Sequence, residues 1–173
     1  MDREEIVTKI KVGKIFIYPT DTVYGLGCDA GNSESVRKIK QIKNRDFDKP
    51  LSVIAPSIAW IRKHLIVSID LKKYLPGPYT LILEKKSKSF LHEVSRENTL
   101  GVRIPDADFS KFVHASGRPF ITTSVNVSGE KPAQSISQVS PQVLSNVDVV
   151  IDGGELMGKP SILVMSNGEE IVR

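Results

Sequence analysis

Short apolar runs of strand-forming residues alternate with segments of helical spacing along the whole chain, and that alternation commits it to the α/β class. Ile6, Val7 and Ile10 sit at helical spacing in a segment that Gly13 closes, and Ile15-Phe16-Ile17-Tyr18 follows as a strand stopped by Pro19. Asn32 or Ser33 caps a helix lined by Val36, Ile39 and Ile42, and Leu51-Ser52-Val53-Ile54 is the next strand. Ser57 and Ser68 each cap a short helix. Pro76-Gly77-Pro78 breaks the chain before a strand over 79–84, and Leu100-Gly101-Val102-Arg103-Ile104 forms another that Pro105 ends. Asp106 caps a helix carrying Phe109, Phe112 and Val113, Gly117 ends it, and a strand returns over 120–125. Ser140-Pro141 opens a short helix leading to a strand over 147–151, and Ser166-Asn167-Gly168 turns a final hairpin. Helices and strands that interleave and then end in a hairpin predict a twisted, mixed sheet flanked by helices. Without an internal repeat or a Gly/Ser linker, the 173 residues read as a single domain, 1–173.

Composition narrows the setting. The lone cysteine, Cys28, has no internal partner, and no Cys and His residues stand at zinc-ligand spacing. The first residues are charged where a signal peptide needs an apolar stretch, and no apolar run nears the roughly 18 residues of a bilayer span. A cytoplasmic protein without a membrane partner is expected. The sequon at Asn126 is then loop chemistry rather than a glycan site. A formal net charge of +4 selects no partner, but its distribution does, because Arg37, Lys38, Lys40, Lys43, Arg45 and Lys49 crowd one helix and the loop behind it. The first three fit a solvated helix face. Lys43, Arg45 and Lys49 run into a Pro-containing loop where cations can converge on an anion, and an Arg fork beside mobile Lys charges suits a triphosphate.

Several other segments carry chemistry. The loop from Tyr18 to Gly27, Tyr-Pro-Thr-Asp-Thr-Val-Tyr-Gly-Leu-Gly, collects hydroxyls, a carboxylate and two glycines, enough to bind a small polar ligand or simply to make a turn. Gly25 to Ala30 loosely matches a dinucleotide fingerprint, but its first glycine is too far from the end of the strand. Neither a Walker A loop nor a Gly-x-Ser-x-Gly elbow is present. Arg103 stands alone in an apolar strand, so it needs either a structural partner such as Asp21 or Asp106, or an anionic ligand. At a period of two, Thr122, Ser124 and Asn126 point the same way and would line a cleft at the strand end. His64, His92 and His114 lie apart, Cys28 lacks an adjacent base, and Trp60 reads as core.

Six of these pieces occur in an order that resembles the YrdC-type family, the L-threonylcarbamoyladenylate synthases of transfer RNA modification. They are residues 18–26, Lys-x-Arg with Lys-Pro-Leu at 43–51, Pro-Gly-Pro-Tyr-Thr at 76–80, Gly-Val-Arg-Ile-Pro at 101–105, Ser-x-Asn-x-Ser-Gly at 124–129 and Pro-Ser at 160–161. The resemblance implies a twisted α/β sheet with a positive concave face. It also implies a nucleotidyltransferase that joins L-threonine, bicarbonate and ATP into threonylcarbamoyl-AMP and pyrophosphate. By similarity Thr22, Arg103, Thr122 and Ser161 hold threonine, with Arg103 on its carboxylate. Lys43, Arg45, Lys49, Thr99, Ser124, Asn126 and Arg173 serve ATP, and Arg45, Lys49 and Arg103 are the catalytic cations. Magnesium is expected to be held mainly by the triphosphate and water, with no protein-only metal site. Product passes to a downstream threonylcarbamoyl-transfer machinery, with contact to double-stranded RNA or tRNA as an added property. Many relatives carry a His that touches threonine where this chain has Ile54, so that contact is missing or replaced. Longer relatives add a linker and a second domain, so the chain reads as the short form, in which Arg173, as last residue, is free to fray. The rival reading is a non-catalytic RNA-binding module on the same basic surface, which the scarcity of aromatics, 6% of residues, disfavours.

Overall fold

The computed structural model describes residues 1–172. In chain order the elements are α1 (Arg3–Lys11), β1 (Phe16–Tyr18), β2 (Gly25–Gly27), α2 (Ser33–Ile42), β3 (Ser52–Ile54), α3 (Ile58–His64) and β4 (Leu65–Ile66). Then come β5 (Tyr79–Lys85), β6 (Thr99–Arg103), α4 (Phe109–Ser116), β7 (Phe120–Ser124), α5 (Pro141–Leu144), β8 (Val149–Val150), β9 (Ile162–Met165) and β10 (Glu170–Ile171). The strands form one mixed sheet in the order β10-β9-β5-β6-β3-β7-β2-β1-β8, with β4 paired to β5. Pairing is parallel at β9–β5, β6–β3 and β1–β8 and antiparallel elsewhere. Among the described residues no helix is long and apolar enough to cross a membrane.

Local chemistry sets most boundaries. The side chains of Asp2, Asn32 and Ser57 accept the backbone N–H three residues on and so cap α1, α2 and α3. Gly117 ends α4 in the left-handed region at φ 67°, a conformation that favours glycine. Two expected caps fail. Ser68 donates to the Ser166 carbonyl instead, and a 3-10 turn over Leu71–Lys73 is capped by Asp70. Asp106 lies ahead of α4, whose N-cap position is Asp108 without a side-chain cap bond.

Two strands were not expected from the sequence, the two-residue β4 beside β5 and the more consequential β2. Gly-Leu-Gly has no strand propensity, yet it is needed there: a Cβ on Gly25 would lie 2.6 Å from the Tyr18 ring, and one on Gly27 would strike the Ile121 carbonyl.

Period-two alternation sorts the strands between two apolar clusters. Ile15, Ile17, Val53 and Ile121 join Val36 and Ile39 of α2 and Ile61 of α3 in the larger one. Phe16, Tyr18, Ile54 and Phe120 face the other way and pack with Ile6 and Ile10 of α1 and Phe109 and Val113 of α4. The Tyr18 and Phe109 rings stack with centroids 4.0 Å apart. The same sheet face continues past these two helices. Ser52 is two residues from Ile54, Thr122 two from Phe120, and Arg103 stands opposite Ile54 across the β3–β6 ladder. Beyond the helices the face turns polar.

Candidate active site

That polar stretch floors a cavity of about 660 Å³, a volume within the range of small-molecule sites. Thr22, Lys43, Arg45, Lys49, Arg103, Thr122, Ser124, Asn126 and Ser161 all line it, so most of the residues singled out in sequence are brought together. The loop after β1 supplies Thr22, the loop after α2 the cations, and β6 and β7 the floor.

At one end lies Arg103, with a side chain only 7% exposed. Its Nη2 forms an ion pair with Asp21, its Nη1 donates to Thr22 Oγ1 at 3.2 Å, and its Nε is buried without an acceptor among the described residues. Burial pushes this guanidinium below its ordinary pKa, opposed by the Asp21 carboxylate. Of the two structural partners open in sequence, Asp21 is the one that pairs with it. Asp106 offers only its backbone N–H, which donates to Asp21 Oδ2 at 2.9 Å. Hydroxyls crowd around: Thr20 and Thr22 share a bond of 2.9 Å, and Thr80 and Ser161 one of 2.8 Å.

At the other end the cations differ in kind. Lys43 is 2% exposed and donates all three of its hydrogens within the protein, to the carbonyls of Ser124 and Asn126 and to Asn126 Oδ1, at 2.6 to 3.0 Å. Burial, with Arg45 close by, pushes its ammonium down to about 8. Asn126 accepts from Ser124 Oγ as well and donates to the carbonyls of Val127 and Glu130, so the whole turn is tied together. Arg45 donates through Nη2 to the Pro50 carbonyl at 2.8 Å while its buried Nε has no acceptor among the described residues. Lys49 is exposed at the rim.

Three expectations fall elsewhere. Thr99 does not line the cavity: it opens β6, pairs with Glu84, and turns its hydroxyl toward Glu97. Arg173 lies outside the described residues. Ile54, the position at which the resemblance implies a His, is fully buried in the apolar cluster under α1 and α4. Ser52 and Thr80 also line the cavity without having been assigned to the site in sequence, as does Thr20, which was noted only as one of the hydroxyls of its loop. The strand alternation holds a signal for the first two, each a hydroxyl on an apolar strand. Among the described residues no three of His, Cys, Asp and Glu gather as a metal cluster, and the oxygen side chains of the lining are hydroxyls and an Asn126 amide already engaged by Lys43 and Ser124. Such donors fit a magnesium ion that arrives on phosphate oxygens.

The family model described as telomere recombination, Sua5/YciO/YrdC, matches residues 8–173. The chain belongs to the Sua5/YciO/YrdC family. A Methanocaldococcus jannaschii protein is 36% identical to it over 174 residues, covering 98% of this chain and 82% of its own. A threonylcarbamoyl-AMP synthase of Vibrio campbellii is 31% identical over 181 residues, covering 98% and 97% respectively. Among solved structures, P. abyssi Sua5 complexed with L-threonine superposes with a TM-score of 0.84 at 30% identity, over 95% of this chain and 52% of that one. The chain therefore spans about half the length of that Sua5.

Proposed function

We propose that this chain is a threonylcarbamoyl-AMP synthase, converting L-threonine, bicarbonate and ATP to threonylcarbamoyl-AMP, pyrophosphate and water. One observation carries the reading: a single cavity joins a buried guanidinium among hydroxyls at one end to a cluster of cations at the other. The first end suits the carboxylate and hydroxyl of threonine, through Arg103, Thr22, Thr122 and Ser161. The second suits a nucleotide triphosphate, through Arg45, Lys49 and Ser124, with Lys43 and Asn126 holding the turn that carries Ser124. The names of the relatives and the threonine-bound Sua5 support the enzyme over an RNA-binding module.

Chemistry follows from placement. The neutral threonine amine attacks the carbon of bicarbonate or carbon dioxide, and an oxygen of the resulting carbamate attacks the α-phosphorus in line, expelling pyrophosphate. No covalent enzyme intermediate is needed. The cavity holds two anionic reactants within reach of each other and sets fixed cations where charge grows on the phosphoryl oxygens. Magnesium, brought by the triphosphate, would shield the phosphate charge. RNA contact and handover of the product belong to this reading as further proposals, and steep weakening with salt would mark the former.

Incubation with ATP, bicarbonate and threonine should yield the carbamoyl adenylate and threonine-dependent pyrophosphate. Lys49→Ala and Arg103→Ala should both abolish that release while retaining the fold by circular dichroism. Full activity in both variants would overturn the site.

A further inference from the structure

Arg103 has five N–H donors and lies 6% exposed in the floor of the cavity, so its orientation must be fixed by its neighbours. Two adjacent residues of one loop do this. Asp21 takes Nη2 with one carboxylate oxygen and, with the other, the backbone N–H of Asp106 just beyond the end of β6. Thr22 takes Nη1. The loop itself is pre-shaped by Thr20, whose Oγ1 accepts the Thr22 N–H at 3.1 Å and donates to the Val23 carbonyl at 2.7 Å. The Asp21 side chain is 12% exposed and does not line the cavity, and the residues that do line it include no Asp or Glu. Asp21 therefore meets a substrate through Arg103 rather than directly.

We propose that Asp21 is the positioning residue of the threonine end, locking Arg103 from behind so that its remaining donors face the α-carboxylate of the amino-acid substrate. The inference rests on the function proposed above. An acid at this place could act in two opposite senses. As a positioning group it tightens threonine binding, because an Arg held in one orientation loses less freedom when it grips a carboxylate. As a competitor it would occupy Arg103 and weaken binding. The two oxygens of Asp21 are both engaged, one by Nη2 and one by the Asp106 amide across the loop, which ties it to β6 and favours the first sense.

The test is steady-state kinetics of Asp21→Ala and Asp21→Asn with threonine and ATP varied separately. Asp21→Ala should raise the KM for threonine about 10- to 100-fold, the range of a lost charge-assisted hydrogen bond. Its kcat should stay within about threefold and its KM for ATP within about twofold, the pattern of lost ground-state binding. Asp21→Asn, which keeps an acceptor without the charge, should give a smaller rise. An unchanged or lowered KM for threonine, or equal rises for both substrates, overturns the proposal. If either variant fails to fold, nitrogen-15 spectra of the unsubstituted protein decide. Added threonine should shift the Arg103 Nε–H signal and leave Nη2 protected from exchange, whereas loss of Nη2 protection overturns it. An unsubstituted protein without threonine-dependent pyrophosphate release sinks the proposed function and this inference with it. An active protein indifferent to Asp21 sinks the inference alone.

Discussion

Ile54 and Ser52 stand two residues apart on β3 and face the same side of the sheet, as do Phe120 and Thr122 on β7, yet each pair is divided between two regions of opposite character. Under α1 and α4, Ile54 and Phe120 join Phe16, Tyr18 and Phe109 in a dry aromatic cluster. One step along the same strands, Ser52 and Thr122 floor a cavity rimmed by cations. No extra element separates the two regions. The covering helices end, and the residue type changes with them. The lesson is that the apolar half supplies the rigidity that the polar half cannot. A buried, partly unpaired Arg103 is tolerated because β6, which carries it, is clamped by neighbours in the sheet, and a desolvated Lys43 because three acceptors at the end of β7 and in the turn after it take its hydrogens.

If the division is real, substitutions on its two sides should fail in different ways. The largest effect is expected from carrying the aromatic half into the cavity. Thr122→Phe should lower kcat/KM by about 10³-fold or more by displacing substrate, while thermal melting shifts only slightly. A large loss of stability with activity intact would erase the distinction. Next, Phe120→Ala empties part of the cluster and should cost about 3–5 kcal/mol, seen as a fall in Tm of about 6–20 °C, with both KM values measured at low temperature nearly unchanged. The smallest effect concerns protons. Lys43 loses its charge near pH 8, well below the ordinary lysine range. As pH rises through 8 the cavity becomes one charge less positive, so the KM for ATP should climb about two- to fivefold. Lys43→Arg, whose charge persists, should flatten that rise.

Charge by itself did not tell a cation at the cavity from one remote from it. Lys85 is held much as Lys43 is, by the carbonyls of Lys88, Phe90 and Ser95, but it pins a loop and lines no cavity. Both are lysines in mixed polar surroundings in the sequence, and nothing local separates them. Thr99 shows the converse: the resemblance assigned it to ATP, while the fold sets it beside Glu97 away from the lining. Thr80 was legible as the end of the Pro-Gly-Pro-Tyr-Thr motif and as a hydroxyl in a strand, but with no role of its own. Its partnership with Ser161, 81 residues away, gives it a place in the site.

What the sequence settled by itself was local: a cap at Asn32 or Ser33 for α2 and at Ser57 for α3, the stop of α4 at Gly117, and the Asn-Gly hairpin. Those depend on a few neighbouring residues and on fixed periods of 3.6 and 2, so they can be read from a window. What only the tertiary structure decided was which groups meet. Arg103 finds Asp21 across 82 residues and Lys43 finds Asn126 across 83, and β2, a strand of glycines, forms only because β1 and β7 flank it. Such contacts are selected by sheet register and loop closure, which are properties of the whole chain and leave no trace in local propensity.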